Sequence, residues 1–458
     1  MLDKRNNKEE QEMKKLWMAL GLLLAMTAPA LAVDFAFHGD LKHEFRINSN
    51  QTGFTGGKDF ASSLKTTQSK IYDEDANDSF ALIKYRLWTE IASDDGGVKG
   101  VYAIEIGGVN FGNSSQGGGF SGDGKNVETR WAYTDFALAG GRLKVGLQPV
   151  KISRFLWEET ATGIHYQNGG LELAWYRGYE VVNTDDSNDF KDLDALYLRY
   201  SLKPAAGVKL GLFGLWQHSD ADKTLGSKSL NDLTWRTKSL TGYDMDLYTL
   251  GLDGSLEAGS FFANWDLMYQ TGDMLEDADF GGYFAHADLG LKMGPGTLTY
   301  TVWYASGDDD RSDGDLDAFI VTDTDINAAY SSVVLFQGLN SDHYFAAEPY
   351  IQDKGLFLNR LAYEHKLTDK LTVGAAALYL MTAEDLEYTD NNAVDRADDS
   401  LGIEIDAWAK YKLYSSLEVA LAAGYLAADD ALDFYEVSRD GSSDEDIYVI
   451  VSSIGYKF

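Results

Sequence analysis

The sequence predicts an all-β protein, a closed antiparallel β-barrel of eighteen strands that spans a membrane. Three observations predict this class. Apolar and polar residues alternate with a period of two in many segments, and short turns alternate with long polar loops. Beyond residue 32, no apolar run approaches the ~20 residues that a transmembrane helix needs. Because a sheet inside lipid must satisfy every backbone hydrogen bond, only a closed barrel fits these observations.

The strands are predicted from residue alternation. The segments 35–46, 261–270 and 401–413 each have one apolar face and one polar face, and these polar faces together carry charges of both signs. This pattern is typical of a wall with lipid outside and a water-filled lumen inside. The residues expected to face outward include Trp265, Leu267, Ile403 and Ile405.

Connection lengths predict the topology. Short turns such as 94–97 and 294–296 alternate with long polar loops such as 307–354 and 382–399. In a transmembrane barrel the short turns are periplasmic and the long loops extracellular. The hairpin at 162–178 has the weakest pattern, and without it the barrel would have sixteen strands. The predicted segments lie at approximately 35–46, 79–93, 98–107, 127–138, 141–149, 162–167, 170–178, 193–203, 208–217, 243–254, 259–271, 282–293, 297–307, 355–367, 371–381, 400–413, 417–427 and 446–458.

The start of the chain has the pattern of a secretory signal peptide. Basic Lys14 and Lys15 precede the apolar run 16–26, and a small-x-small site ends at Ala32. We expect cleavage after Ala32, which divides the chain into a signal peptide at 1–32 and a single barrel domain at 33–458. The charged residues before the basic pair indicate that translation starts at Met13.

Composition excludes several classes of protein. The net charge of −33 argues against nucleic acid, because a phosphate backbone requires clustered Lys and Arg. The absence of Cys excludes disulfides, thiolate nucleophiles and Cys-ligated metals. The seven His are scattered, and no Gly-x-Ser-x-Gly or His-Glu-x-x-His motif occurs. We therefore expect no enzymatic activity and no required cofactor.

The chain resembles a bacterial outer-membrane porin of the trimeric general-diffusion type, most similar to those of sulfate-reducing deltaproteobacteria. The segments 143–148 and 402–406 are similar to porin strands, and the terminal strand 447–458 ends in the aromatic Phe458. The resemblance implies that Phe458 is the membrane-insertion signal read by the barrel-assembly machinery. It also implies a homotrimer in the outer membrane of a Gram-negative bacterium, in contact with lipid and lipopolysaccharide.

Porins of this type fold the loop after strand five into the barrel, where acidic groups face basic groups of the wall. The resemblance implies that this inward-folded loop lies at about 150–161. The alternative is that the wall cations only pair with neighbours such as Glu90, Glu105 and Glu128. The predicted pore-constriction residues are Arg46, Lys84, Arg86, Arg130, Arg142, Lys144, Lys151, Arg154, Glu158 and Glu159.

An acidic segment between residues 307 and 325 has the oxygen ligands that Ca²⁺ prefers. The alternative is a solvated acidic loop. The candidate Ca²⁺ ligands are Asp308, Asp310, Asp313, Asp315 and Asp317.

The expected function is passive diffusion of ions and small hydrophilic solutes through a general porin, because a barrel of this size leaves an aqueous channel. One alternative is a substrate-selective outer-membrane channel for a sugar or an organic anion. An outer-membrane enzyme or an adhesin is a weaker alternative.

Overall fold

A computed structural model describes residues 33–49, 78–114, 117–120, 127–180, 192–221, 223–224, 237–275, 278–310, 313–324, 332–336, 350–435, 439–443 and 446–458. The predicted signal peptide, residues 1–32, and Met13 lie outside the described residues. Within those ranges, none of the helices has the length and apolar character needed to cross a bilayer.

Eighteen antiparallel strands of the described chain form the barrel wall, and β21 pairs with β1 to close it. The predicted number of strands is therefore confirmed, and the hairpin at 162–178 is present as β6 and β7. The wall strands are β1 (Val33–Asn48), β2 (Asp78–Ser93), β3 (Val98–Asn110), β4 (Glu128–Leu138), β5 (Gly141–Ser153), β6 (Trp157–Asn168), β7 (Leu171–Tyr179), β8 (Leu193–Ala205), β9 (Val208–Asp220), β10 (Asp244–Ala258), β11 (Phe261–Met274), β13 (Tyr283–Met293), β14 (Gly296–Ala305), β17 (Leu356–Lys366), β18 (Leu371–Thr389), β19 (Asp395–Tyr414), β20 (Leu417–Ala428) and β21 (Ile447–Lys457).

Shorter elements lie in the connections between wall strands. They are the strands β12 (Ala278–Phe280), β15 (Asp315–Leu316) and β16 (Asp323–Thr324), the helical turn Val333–Phe336, and the 3₁₀ turns Thr237–Leu240, Gln352–Lys354 and Asp430–Tyr435. Both short strands of the long 306–355 connection pair with other parts of the chain. β15 runs parallel to β12, and β16 runs parallel to β6.

The alternation of outward and inward residues follows the sequence pattern. Leu267, Ile403 and Ile405 are 45%, 56% and 53% exposed on the outer surface, and Trp265 shares their face. Their neighbours Glu404 and Asp406 point inward and are buried. The outer surface is thus apolar where lipid would contact it, as a transmembrane barrel requires.

Tight turns connect the strands at the rim that carries the termini. The β4–β5 turn consists of Ala139 and Gly140, whose φ angles are 49° and 80°. Positive φ at both positions is the geometry that matches the right-handed twist of a hairpin.

The terminal Phe458 lies at the seam between the first and last strands. The amide N–H of Gly39 donates to the carbonyl oxygen of Phe458 at 3.0 Å, and the amide of Phe458 donates back to Gly39 at 3.1 Å. A Cβ at position 39 would collide with the Phe458 ring. Glycine at position 39 therefore makes room for the terminal aromatic side chain.

Two predicted loops differ from the structure in form. Residues 382–399, expected as a long polar loop, are mostly strand, because β18 continues to Thr389 and β19 begins at Asp395. Residues 150–161, expected as an inward-folded loop, consist of the ends of β5 and β6 with the three-residue turn 154–156 between them. Cross-strand pairing satisfies much of the backbone in both segments, whereas an irregular loop would leave it to water.

Candidate functional site

The inner face of β1 to β5 carries the six wall cations predicted from the sequence, and they lie among carboxylates. At the extracellular end of β1, Arg46 is 2% exposed and its Nη2 donates to Glu44 Oε1 at 2.6 Å. Towards the other rim, Arg142 Nε donates to Asp135 Oδ1 at 2.8 Å. Lys144 follows Arg142 on the inner face of β5, with its Nζ 6.0 Å from the centre of the Tyr133 ring.

Three of these cations converge on one buried carboxylate, Glu105 of β3, which is 4% exposed. Arg86 Nη2 lies 2.5 Å from Glu105 Oε2, Lys84 Nζ lies 3.4 Å from Oε1, and Arg130 Nε lies 3.9 Å from Oε2. Arg130 also forms an ion pair with Glu159 of β6. The wall cations therefore do pair with neighbouring carboxylates, and a further carboxylate, that of Glu128, lies opposite Glu105 in the register of β3 and β4.

The extracellular ends of β5 and β6 leave the barrel wall as a hairpin, residues 148–161. The pairing of β4 with β5 ends at Ala132–Leu147, and the pairing of β6 with β7 begins at Thr162–Arg177. Between these points β5 and β6 are paired with each other, from Gln148–Ala161 to Ser153–Trp157. The hairpin is thus free of both neighbouring wall strands and can bend into the lumen.

The hairpin tip reaches the inner face of a distant part of the wall. The ring of Phe155 lies 4.6 Å from that of His286, 4.8 Å from that of Phe284 and 5.3 Å from that of Trp303, measured between centroids. These three residues belong to β13 and β14, which are separated from β6 by the five wall strands β7 to β11. The hairpin therefore crosses the lumen and divides its cross-section.

The predicted acidic and basic residues of the hairpin lie along this crossing. Lys151 Nζ is 3.3 Å from Glu158 Oε1 within the hairpin, and Glu159 meets the wall at Arg130. Arg154 lies at the tip, beside Phe155. All ten predicted constriction residues thus lie on the inner wall of β1 to β5 or on the hairpin, but Arg46 and Arg142 lie near opposite rims, away from the hairpin's contact with the wall.

A second segment, residues 315–324, also lies in the lumen, and the sequence reasoning did not predict it. Gln270 of β11 forms two hydrogen bonds with Ile320, donating to its carbonyl at 2.7 Å and accepting from its amide at 2.8 Å. The Thr322 amide donates to the Leu156 carbonyl at 2.9 Å, and Thr324 Oγ1 donates to the Arg154 carbonyl at 2.6 Å. Segment 315–324 therefore runs through the lumen from β11 to the hairpin, and it covers the inner face of β7 to β11.

Two cavities lie on either side of the hairpin. One, of about 760 Å³, is lined by Arg154, Phe155, Arg199, Asp253, Asp266 and Asp288. The other, of about 420 Å³, lies between the hairpin and the first strands and is lined by Lys42, Arg86, Trp88, Arg130, Glu158 and Glu159. Segment 315–324 covers the first cavity from the extracellular end. In the second cavity, Lys42, Arg86 and Arg130 of the wall face the acidic groups of the hairpin. Opposed charges across a narrow passage produce a transverse field that favours polar solutes.

The acidic segment that was the candidate calcium site does not form a cluster of metal ligands within the described residues. Asp308 is 2% exposed, and its amide donates to the Asp353 carbonyl at 2.7 Å, whereas Asp315 is exposed on β15. Burial raises the pKa of Asp308 to about 6, and the negative charges of Asp353 and Asp313 act in the same direction. Across the described ranges, we find no group of three His, Asp or Glu placed to hold a metal ion. The structure does not bring Asp308, Asp310, Asp313, Asp315 and Asp317 together as a ligand set, so a calcium site stays a prediction.

The fold matches solved outer-membrane barrels. The chain is similar to the outer membrane protein OprD from Pseudomonas aeruginosa, with 13% identity, a TM-score of 0.50, and coverage of 94% of this chain and 95% of that one. It is also similar to OpdQ (11% identity, TM-score 0.51, 93% and 98% covered) and to the outer membrane protein opdK (12% identity, TM-score 0.50, 93% and 98% covered), both from the same organism. No protein-family model and no curated protein matches the sequence. At this identity, the likeness defines the architecture, an eighteen-stranded antiparallel barrel, and leaves the solute to be argued from the lumen.

Proposed function

We propose that this chain forms a water-filled channel in the outer membrane of a Gram-negative bacterium, through which small hydrophilic solutes diffuse passively. One observation carries the proposal. The barrel has a charged inner wall, and a hairpin crosses its lumen and contacts the far wall through Phe155. A structural or adhesive barrel has no need of a charged lumen. The signal-peptide pattern at 1–32 supports export, and the apolar outer surface supports insertion into a membrane.

The geometry favours a selective channel over a general-diffusion pore. The hairpin and segment 315–324 both occupy lumen, so a solute must pass close to charged side chains. The side between the hairpin and β1 to β4 presents Lys42, Arg86 and Arg130. Of the two solute classes considered, a sugar and an organic anion, the lining of this side favours the organic anion, because its cations outnumber its carboxylates. The cations are Lys42, Arg86, Arg130, Lys151 and Lys457, and the carboxylates are Asp40, Glu158 and Glu159. The homotrimer and the contact with lipopolysaccharide implied by the porin resemblance belong to this proposal.

Two measurements on the purified protein test the function. Planar-bilayer recordings across a salt gradient should show discrete channels, and their reversal potential gives the selectivity. Closure in three equal steps would support the trimer. Swelling of proteoliposomes should be faster with gluconate than with glucose, a neutral sugar of similar size. An absence of channels would refute the proposed function, whereas equal swelling rates for the two solutes would refute only the selectivity.

A further inference from the structure

The 306–355 connection has a second attachment inside the barrel, at the helical turn Val333–Phe336. The side chains of Val333, Val334 and Leu335 are 3%, 0% and 0% exposed, and they belong to the apolar cluster that includes Ala422, Leu426 and Val449 on the inner faces of β20 and β21. This turn therefore covers part of the wall that would otherwise face the lumen.

Two carboxylates of the wall hold the backbone of this turn. The Val333 amide donates to Asp406 Oδ2 at 3.2 Å, and the Val334 amide donates to Glu404 Oε1 at 2.9 Å. The third amide, that of Leu335, donates to Ser332 Oγ at 2.6 Å. Glu404 and Asp406 project from the same face of β19 and are 0% and 1% exposed. Burying two neighbouring carboxylates is costly unless they are well hydrogen-bonded, so the turn and the wall stabilise each other.

The neighbouring strand is shaped to receive the turn. Position 424 on the inner face of β20 is glycine, and a Cβ there would lie 2.9 Å from Val333 Cβ and 2.7 Å from Asp406 Oδ1. Real Cβ atoms do not approach other heavy atoms that closely. By contrast, a Cβ at Gly455, on the inner face of the adjacent β21, would meet open space.

We propose that Glu404 and Asp406 are positioning residues for the channel: they hold the 306–355 connection against the β19–β20 wall and thereby set the width and the solute preference of the passage. This inference rests on the proposed function. A buried hydrogen bond contributes enough free energy that losing one should shift the ratio of attached to detached connection by roughly tenfold. A detached connection would move between positions inside and outside the passage. Because each position gives a different conductance, the channel would no longer have a single conductance level.

The first test reads attachment without using conductance. In Val334→Cys, introduced into a chain that has no cysteine, the thiol replaces a buried side chain and should react slowly with a membrane-impermeant maleimide. Adding Glu404→Leu or Asp406→Leu should accelerate labelling roughly tenfold, because the acceptor oxygens are lost. Adding Glu404→Gln or Asp406→Asn should leave labelling slow, because the amide oxygen can still accept from the same N–H.

The second test uses Gly424, so that the inference can still be tested if the leucine variants do not fold. Gly424→Ala should displace the turn, increase labelling of Val334→Cys, and produce additional conductance levels. Gly455→Ala is the matched control and should change neither. Glu364→Leu is the charge control: it removes another inward carboxylate, which accepts from Trp408 Nε1 at 3.3 Å and does not hold the turn.

The outcomes separate the two proposals. Fast labelling and altered conductance in Glu404→Leu and Gly424→Ala, but not in their controls, would support the positioning role. Unchanged labelling in both would overturn it even if the protein forms channels. Changed labelling with a conductance equal to that of the wild type would also overturn it, because attachment would then not set the passage. If the wild-type protein forms no channel, the proposed function fails, and labelling alone still reports the attachment.

Discussion

The inner faces of two regions of the barrel wall differ in what covers them. On β2 to β4, the side chains of Lys84, Arg86 and Arg130 are 20%, 27% and 25% exposed around Glu105 and face open lumen. On β20 and β21, the inward Leu426, Val449 and Val451 are fully buried beneath other parts of the chain.

The sequence of each strand reflects this difference. In the first region, charges alternate with apolar residues because one face meets water and the other meets lipid. In the second, the run from Ala420 to Ala428 is apolar on both faces, which is the pattern of a strand buried on both sides. Part of a transmembrane barrel can therefore be read like a soluble core, and such strands indicate where protein fills the lumen.

The largest expected effect distinguishes the two regions directly. Leu426→Ala removes a fully buried side chain from the covered wall and should lower the free energy of unfolding by about 2–5 kcal/mol. Lys84→Ala on the open wall removes one partly exposed ion-pair partner and should cost only about 0–1 kcal/mol. Urea titrations of the protein folded into lipid vesicles measure both values. Equal costs would mean that the wall at β20 is not a packed core.

The outer surface should behave alike around the barrel, whatever covers the inner face of each strand. Leu267→Arg on β11 and Ile405→Arg on β19 place a charge against lipid and should each cost about 2–4 kcal/mol if they lie near the bilayer midplane. Ser255→Arg, which points into a lumen cavity, is the control and should be nearly neutral. Urea titrations of the protein folded into lipid vesicles again measure the free energy of unfolding. Near-neutral results for both outward substitutions would contradict the assignment of the faces.

The fold was largely predictable, because a period of two over each strand assigns both the strand and its faces. The path of the lumen-filling segments was not, because their contacts join residues far apart in sequence. Ile320 meets Gln270, and the turn at Val333 meets Asp406. A local signal existed in the apolar run Ala318 to Val321 inside an otherwise acidic loop, which predicts burial.

The candidate site was predictable in its residue types but not in its arrangement. The position of the hairpin at 150–161 came from the porin resemblance, whereas its paired form depends on where β4 and β7 stop pairing with it. No residue within the hairpin determines where its neighbours end. The convergence of Lys84, Arg86 and Arg130 on Glu105 likewise depends on the register of three strands.

Ion selectivity tests whether the open side of the lumen is the passage. We expect the acidic loops around the mouth to weaken the anion preference of the lumen at low salt, and we expect this effect to fade as salt rises, because their field is screened within about 8 Å at physiological ionic strength. Neutralising Arg86 and Arg130 with Gln should shift the reversal potential towards cations, and Glu158→Gln with Glu159→Gln should shift it towards anions. Arg177→Gln, at an outward residue paired with Asp194, is the control and should leave the reversal potential unchanged. If neither pair moves the reversal potential, the hairpin does not border the passage.

The smallest expected effect concerns the start of the 306–355 connection. The pKa of Asp308 is raised to about 6 by burial and by neighbouring carboxylates, so the folded state binds its proton more tightly than the unfolded chain does. The stabilising contribution of protonated Asp308 is present below its ordinary pKa and is lost as the pH rises through about 6. Proteolysis of this connection should therefore be slower at pH 5 than at pH 7, and Asp308→Asn, which carries no charge at either pH, should reduce the difference. Asp315→Asn, at an exposed position nearby, serves as the control and should leave the difference intact. A pH dependence that persists unchanged in Asp308→Asn would assign the effect to another group.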